Sequence, residues 1–359
     1  MSKVIKVGIL GCGQIAQIMH LPYLDDLEGF EIYSICDVSK ELLNKVGKKY
    51  SVPAERQFLD YEKMIADPNL DAVFICSKDH CQPTIQAANA KKHVFVEKPF
   101  GFSVSQAEQM VKAAEDNNVK LMVGYMKRYD TGYQYALEKI KAMENISLVR
   151  FHDFGGSFAY TRNVFDVLSG ADVDPAFFAQ GKKEVSDAQL AGIGTDNKDY
   201  LAAYSLLLGV SSHDSILMRH AFGDDPEVLY ADVHNGSFLT AILKFGNIEC
   251  IFESGLVMKR AIWDENMTVY SDFTNLKLEF PWPYLKNAPS VVKLSENVPG
   301  TDMPSESEVK TSFSEAYRNE LLHFYDCIVN DKEPITSGKD ALKDIKLMRK
   351  IIDAVGGKK

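Results

Sequence analysis

The sequence lacks the features that mark a membrane, secreted or nucleic-acid-binding protein. No apolar run reaches the roughly 20 residues that a membrane-spanning helix needs. No long apolar segment precedes the first strand-like run, KVIKVGIL, so we expect no signal peptide. Acidic residues outnumber basic ones, 50 against 40, and no run of Lys and Arg supplies a basic face. We therefore expect neither a membrane nor a nucleic acid as a partner.

Cysteine is scarce as well, with 6 among 359 residues. The cysteines are scattered and several fall inside apolar runs, which is typical of reduced thiols in a cytoplasmic protein. Cys76, His80 and Cys81 are near one another in sequence, but their spacing fits no usual zinc half-site and no second half-site follows. We therefore predict no metal site.

Length and apolar pattern predict two domains of different fold class. Residues 1–126 alternate continuous apolar runs, such as FEIYSICD and DAVFIC, with helical segments, which favours a parallel sheet covered by helices on both faces. Residues 127–359 carry runs such as SFLTAILKFG, whose alternation of apolar and polar residues indicates an α+β domain with a largely antiparallel sheet. The stretch from Tyr160 to Leu208 is rich in Asp, Gly and Ala, and we expect it to be irregular.

The first strand leads into GCGQIA, which fits the G-x-G-x-x-A pattern of a dinucleotide-binding loop in a doubly wound (Rossmann) domain. Gly11 permits the tight turn, Gly13 lets the backbone approach a pyrophosphate, and Ala16 lets the helix pack closely on the strand. Asp37 closes the second strand, where an acid accepts hydrogen bonds from the adenosine ribose. The pattern therefore predicts that residues 1–126 bind a dinucleotide.

The charge of Asp37 also bears on the choice between NAD and NADP. A carboxylate would repel a ribose phosphate, so Asp37 favours NAD. Ser39 and Lys40 would reach such a phosphate if Asp37 turned away. NADP therefore stays possible.

HVFVEKPFG begins as an apolar strand and ends with a charged pair, Glu97 and Lys98. A strand end in a doubly wound sheet faces the ligand crevice, so Lys98 is placed where the nicotinamide should lie. An ammonium group there can polarise a substrate oxygen. The alternative is a surface lysine at the end of a strand, and the residues alone weigh the two equally.

GCGQIA, HVFVEKPFG and VGYMKRYD together resemble the Gfo/Idh/MocA oxidoreductase family, and the tract from Tyr317 to Ile351 resembles its C-terminal helices. The resemblance implies a second domain whose open, mainly antiparallel sheet holds the substrate and forms dimers or tetramers. It also implies that Lys98 is catalytic. Together with the Gly-rich loop, it implies a cofactor site made of Gly11, Gly13, Gln14, Ile15, Asp37, Ser77, His80, Glu97 and Lys98.

Many members of this family carry an aspartate and, four residues later, a histidine that acts as acid and base at the substrate hydroxyl. Counting back from Gly223 places that histidine on His213, while the aspartate position falls on Gly209. The group that orients His213 is therefore left open among nearby residues, which are Asp196, Asp199, Tyr204 and Asp214.

Three residues that follow the last apolar run of the predicted Rossmann domain are further candidates for substrate binding, beside Lys98 and His213. They are Tyr125, Lys127 and Arg128. Lys127 or Arg128 can bind substrate oxygens, and the alternative is a salt-bridged hinge. The two interpretations are weighted evenly.

These observations predict a cytoplasmic, homodimeric or homotetrameric dehydrogenase. It would transfer a hydride between NAD or NADP and a secondary hydroxyl or ketone of a sugar, cyclic polyol or sugar derivative. Two other functions stay open. One is a regulator that binds a dinucleotide without turnover, which the missing aspartate at Gly209 favours. The other is an enzyme that retains NAD and acts on glycosides through a keto intermediate.

Overall fold

The computed structural model describes residues 3–257 and 259–356, which form two compact units. Unit 1 comprises residues 3–125, 161–192 and 320–345. Unit 2 comprises residues 126–160, 193–319 and 346–356. The division of the chain into contiguous domains of residues 1–126 and 127–359 stays a prediction.

The helices alternate with strands in the first third of the chain and cluster again near its end. In chain order they are α1 Leu21–Asp26, α2 Lys40–Lys49, α3 Tyr61–Ile65, α4 Cys81–Asn89, α5 Val104–Asn117, α6 Thr131–Ala142, α7 Thr161–Val164, α8 Pro175–Ile193, α9 Lys198–Gly209, α10 Ser212–Phe222, α11 Ala316–Val329 and α12 Gly338–Ala354. A π-helical turn, Ala16–His20, leads directly into α1.

Unit 1 holds the predicted doubly wound parallel sheet. Its strands are β1 Ile5–Leu10, β2 Phe30–Cys36, β3 Gln57–Phe58, β4 Ala72–Ile75, β5 His93–Glu97 and β6 Leu121–Gly124. Their order across the sheet is β3-β2-β1-β4-β5-β6, with every neighbouring pair parallel. The carboxyl ends of the strands therefore share one edge of the sheet, where ligands bind in this architecture.

The last third of the chain also contributes to the core of unit 1. Phe74 on β4 and Phe95 on β5 stack with ring centroids 4.7 Å apart. Phe324 on α11 meets both rings edge-on, at 5.6 Å from Phe74 and 5.7 Å from Phe95. Because all three rings are fully buried, this contact anchors α11 on the parallel sheet.

Unit 2 is built on a mixed, mostly antiparallel sheet. Its strands are β7 Leu148–Gly156, β8 Glu227–His234, β9 Phe238–Phe245, β10 Ile248–Val257, β11 Trp263–Tyr270, β12 Thr274–Glu279, β13 Val291–Asn297 and β14 Pro304–Val309. The order is β14-β13-β12-β11-β7-β10-β9-β8, and only the β7–β10 pair is parallel among these neighbours. The sheet is open, with β14 and β8 at its edges, as predicted.

The stretch from Tyr160 to Leu208 is not irregular, and that expectation is wrong. It contains α8 and most of α9. Helix α8 is largely exposed and rich in Ala, so it carries no strong apolar period. The final apolar stretch of α9 is mostly buried and also lacks a clear polar face. Neither helix therefore showed the amphipathic spacing on which the sequence prediction depended.

Among the described residues, no single helix has the length and apolar character needed to cross a membrane. Helices α9 and α10 meet these criteria only when they are taken together, and they are bent by 66° at the break that separates them.

Candidate active site

The two glycines of the predicted dinucleotide loop stand in different surroundings. Gly11 has φ +90°, and a Cβ built on it would lie 2.8 Å from the backbone nitrogen of Ser77. A Cβ on Gly13 would meet no described heavy atom within 4 Å. Gly11 is therefore required by the close approach of the segment that follows β4. Gly13 leaves open space at the start of the helical turn, as backbone binding of a pyrophosphate requires.

The carboxylate of Asp37 is tied to the same loop. Its Oδ2 accepts a hydrogen bond of 2.9 Å from the Cys12 N–H, and its Oδ1 accepts one of 3.0 Å from the Ser39 N–H. Asp37 therefore links the end of β2 to the dinucleotide loop. Its contact with the adenosine ribose stays a prediction.

A buried hydrogen-bonded pair, His20 and Glu97, lies next to Lys98 at the carboxyl end of β5. The Glu97 Oε1 is 2.6 Å from the His20 Nε2, and its Oε2 accepts a 3.1 Å hydrogen bond from the Lys98 N–H. His20 is fully buried and Glu97 is 6% exposed. Burial raises the pKa of Glu97, but the hydrogen bond from His20 and the charges of His20 and Lys98 outweigh it and leave the pKa below its usual value. Glu97 is therefore ionised, and His20 Nε2 donates.

The π-helical turn before α1 places His20 in this pair. A π turn adds one residue to the helical repeat and occurs often at functional sites. Gly124, at the end of β6, lies against the pair from the other side, because a Cβ there would stand 3.3 Å from the Glu97 carboxyl group. Nothing in the sequence indicated the contact between His20 and Glu97.

His80 supports the turn that follows Lys98. Its Nδ1 lies 2.7 Å from the carbonyl oxygen of Pro99 and donates to it. Burial lowers the pKa of His80, and the bond to Pro99 opposes this only in part. The imidazole is therefore neutral near neutral pH. Its predicted contact with a cofactor is untested, whereas its contact with the Lys98–Pro99 segment is direct.

A second carboxyl group, Glu320 on α11, lies near Glu97 in unit 1. It is fully buried, and neither carboxyl oxygen has a hydrogen-bond partner among the described residues. Burial and, after it, the charge of Glu97 raise the pKa of Glu320 well above its usual value. Glu320 is therefore protonated while Glu97 carries the charge.

Residues 161–172, which we call the strap, contact the dinucleotide loop within unit 1. The Gln14 Nε2 donates to the Thr161 Oγ1 at 2.8 Å. The Gln17 side chain bonds twice to the backbone of Leu168, donating at 3.0 Å and accepting at 2.8 Å. Ile15, between these glutamines, is half-buried. The strap is a feature that the sequence did not predict.

Unit 2 contains a buried cluster of three carboxyl groups and a lysine. Asp153, Asp214 and Glu265 each present an oxygen within 4.8 Å of the others. Lys127 is ion-paired with Glu265, and its Nζ lies 5.5 Å from the centroid of the Trp263 ring. Burial and then the charge of Asp153 raise the pKa of Asp214 well above its usual value. Lys127 therefore supplies a positive charge to a cluster in which Asp214 holds a proton.

His213 follows Ser212 in the first turn of α10 and is 7% exposed. Gly209 ends α9, so the two positions of the expected aspartate–histidine pattern stand on different helices. A Cβ on Gly209 would meet no described heavy atom within 4 Å, so the missing aspartate is not explained by crowding. Asp214 belongs to the buried cluster.

The other groups proposed to orient His213 lie in unequal surroundings. Asp196 and Asp199 are exposed. Tyr204 is fully buried, and burial raises its pKa to about 12. Tyr204 is therefore a neutral phenol rather than a source of negative charge.

The remaining predicted substrate residues are buried. Tyr125 is fully buried in unit 1, and Lys127 and Arg128 are 6% and 5% exposed in unit 2. Lys98 belongs to unit 1 and His213 to unit 2. Lys127 forms an ion pair with Glu265. An ion-paired Lys127 was the alternative to one that binds substrate oxygens directly.

The comparisons with known proteins agree with the geometry of unit 1. Residues 5–125 match a family model described as the oxidoreductase family with an NAD-binding Rossmann fold, GFO_IDH_MocA. By this match residues 5–125 are similar to the NAD-binding domain of the Gfo/Idh/MocA oxidoreductase family. The predicted resemblance to this family and the predicted NAD(P) cofactor are confirmed.

Proteins similar to this chain include named inositol dehydrogenases. The chain is 27% identical over 230 residues to myo-inositol 2-dehydrogenase of Thermotoga maritima, covering 63% of this chain and 58% of that protein. It is 24% identical over 358 residues to scyllo-inositol 2-dehydrogenase (NAD(+)) of Bacillus subtilis, covering 95% and 91%. The crystal structure of aldose-aldose oxidoreductase from Caulobacter crescentus complexed with glycerol has a TM-score of 0.76 at 20% identity, covering 98% and 97%, and shares the fold.

The surroundings of the two glycines predict different effects of adding a methyl group. Gly13→Ala should leave the melting temperature near that of the wild type, because its Cβ enters open space. It should weaken NADH binding on the order of tenfold or more, because the methyl group holds the pyrophosphate off the backbone. Fluorescence titration with NADH and thermal unfolding measure the two effects.

Gly11→Ala serves as the control for that experiment, because its Cβ would clash with backbone atoms of Cys76 and Ser77. It should lower both stability and binding. A Gly13→Ala variant that binds NADH as tightly as the wild type would contradict this site.

Glu320→Gln should stabilise the protein at neutral pH. In the folded state Glu320 stays protonated at pH values above its usual pKa of 4.5. The wild-type free energy of unfolding therefore falls as the pH rises from the unfolded-state pKa to the folded-state pKa. Glutamine removes this loss, and its advantage should grow by about 1.4 kcal/mol per pH unit above about pH 4.5. Urea unfolding at about pH 5 and about pH 8 measures it. Glu97→Gln, which removes an ionised group, should destabilise instead, and an equal effect of Glu320→Gln at both pH values would refute the assignment.

Proposed function

We propose that this protein is an NAD(P)-dependent dehydrogenase that acts on a secondary hydroxyl group of a sugar, cyclic polyol or sugar derivative. The observation that carries the proposal is the position of Lys98, at the carboxyl end of β5 and next to the ionised Glu97. The positive charge of Lys98 contributes to the low pKa of Glu97. An ammonium group donates hydrogen bonds to a substrate oxygen and stabilises negative charge that develops on it.

The residues of unit 1 suit the remaining tasks of such an enzyme. Gly11, Gly13 and Asp37 would hold the dinucleotide, and His80 and His20 would fix the segment that carries Lys98. When bound, the nicotinamide supplies hydride transfer, and the protein supplies position and charge. His213 would take the hydroxyl proton, since a histidine titrates near neutral pH and serves as a general base.

A pocket in unit 2 supports a carbohydrate-like substrate. Its lining includes Trp263, Phe280, Trp282 and Tyr284, together with the ion pair of Lys127 and Glu265. Aromatic faces pack against the C–H surfaces of a sugar ring, while polar groups bond its hydroxyls. The printed activities of the relatives, on inositols and aldoses, belong to the same chemical class.

A homodimer or homotetramer in the cytoplasm would accompany this function. The cysteines of the described residues are free thiols, which is consistent with a reducing compartment. Leu229 and Tyr230 on the edge strand β8 are 45% and 51% exposed and would suit a subunit contact.

A second candidate is an enzyme that keeps NAD bound through a complete redox cycle. The strap favours this candidate. If the strap covers the bound cofactor, its hydrogen bonds to Gln14 and Gln17 would have to break before the cofactor could leave. Dinucleotide that stays with the protein through purification would distinguish this candidate from a dehydrogenase that exchanges its cofactor.

Lys98→Ala should lower kcat by roughly 10²-fold or more while the Kd for NADH stays near that of the wild type, because the lysine acts on the substrate oxygen. The assay measures formation of reduced cofactor with cyclic polyols, aldoses and glycosides. Lys63→Ala is the matched control, because the Lys63 side chain is 76% exposed on α3 of the same unit. Turnover that survives in Lys98→Ala would contradict the catalytic assignment. A wild type that binds dinucleotide and turns over no substrate in the panel would favour the regulator.

A further inference from the structure

The strap reaches the second cofactor element of unit 1 as well as the dinucleotide loop. The Lys45 Nζ on α2 donates to the Ser169 carbonyl at 2.8 Å, and the Ala171 N–H donates to the Glu41 carboxylate at 3.1 Å. With the contacts of Gln14 and Gln17, these bonds fix the strap at both of its ends. The position of its last residue, Asp172, is therefore set by several independent contacts.

Asp172 places a carboxylate on the N-terminus of α2. Its Oδ1 accepts a hydrogen bond from the Ser39 hydroxyl, and its Oδ2 accepts one of 3.1 Å from the Glu41 N–H. Ser39 is the N-cap of α2, and its Oγ accepts from the Leu42 N–H at 3.0 Å. The hydrogen bond from Ser39 lowers the pKa of Asp172, so the carboxylate is ionised. A negative charge is also favoured at this end of a helix.

The donors that Asp172 uses are those that would otherwise suit a ribose phosphate. In a Rossmann domain the residue at the end of the second strand meets the adenosine ribose hydroxyls, and the 2′-phosphate of NADP is bound by groups close beside it. Here Asp37 directly follows β2, and Ser39 comes two residues later. A hydroxyl group and a free helix N-terminus are ready donors for a phosphate. In this chain both are already bonded to a carboxylate.

We propose that Asp172 determines cofactor specificity, by occupying the donors at the start of α2 and repelling the 2′-phosphate of NADP. The inference rests on the proposed use of a dinucleotide and goes beyond it in selecting NAD. Asp37 alone would disfavour NADP relative to NAD through the charge of a single carboxylate. Asp172 adds a second negative charge, delivered by a segment more than a hundred residues away in the sequence. NADP could bind only if the strap gave up the contacts to Ser39 and Glu41.

Asp172→Asn tests the proposal because it removes the charge and keeps the shape. Asp166→Asn is the matched control, because it removes one negative charge from an exposed position on the same strap. The Kd values for NADH and NADPH are measured by fluorescence titration, and those for ADP and 2′,5′-ADP by calorimetry. Thermal unfolding of each variant shows whether the fold is kept.

Asp172→Asn should tighten binding of NADPH and of 2′,5′-ADP on the order of tenfold, while NADH and ADP change by less than about threefold. Asp166→Asn should leave the affinity ratios of NADPH to NADH and of 2′,5′-ADP to ADP at their wild-type values. The gain should shrink at high salt, because charge repulsion is screened. Wild-type and Asp172→Asn proteins with the same ratio of NADPH to NADH affinity would overturn the proposal. Asp172→Ala removes the charge and the hydrogen bonds together, and it should give at least the same gain.

The proposed function and this inference fail in different ways. If the wild type binds neither dinucleotide, the function falls and the specificity role with it. If it binds NADH and the affinity ratio does not respond to Asp172, only the specificity role is wrong. Both outcomes are read from binding, so neither requires a known substrate.

Discussion

The charge of Glu97 in the core of unit 1 is the constraint on which much of the site depends. A buried carboxylate is tolerated only when hydrogen bonds and opposite charge replace its hydration. His20 and the Lys98 N–H provide these at 2.6 Å and 3.1 Å. The π-helical turn brings the histidine into place, and Gly124 leaves room for the carboxyl group. Burial and, after it, the charge of Glu97 raise the pKa of Glu320 well above its usual value.

The buried carboxyl groups of unit 2 also lie beside an opposite charge. Three carboxyl groups share one region with Lys127, and Asp214 is held in its protonated form. The ion pair of Lys127 and Glu265 lies beside the rings of Trp263 and Phe280, which add an attraction between the cation and the aromatic faces. In each unit, burial and a neighbouring carboxyl group raise the pKa of one buried acid well above its usual value.

The sequence predicted those features whose residues stand together along the chain. The dinucleotide loop, the strand that ends in Glu97 and Lys98, and the two kinds of sheet follow from local spacing and from apolar pattern. Strands β3, β13 and β14 were missed. The two residues of β3 carry no period, the apolar residues of β13 are confined to its first half, and the exposed β14 has little apolar alternation.

The remaining features depend on contacts between distant segments, which one sequence does not reveal. His20 and Glu97, Glu97 and Glu320, and Ser39 and Asp172 each meet only after the chain has folded. Aspartates and glutamates are common on protein surfaces, so nothing in their local sequence marked Glu320 or Asp172. For His213 the family pattern identified the residue from the sequence but not its surroundings. The position expected to carry its aspartate partner, Gly209, lies on another helix.

The central claim is that the carboxyl end of β5 is where the redox chemistry takes place. A crystal structure of the protein with NADH bound tests it most directly. The account predicts the pyrophosphate against the backbone of Gly13 and the nicotinamide ring in contact with the Lys98 side chain. A dinucleotide bound elsewhere, or one whose nicotinamide points away from Lys98, would contradict it.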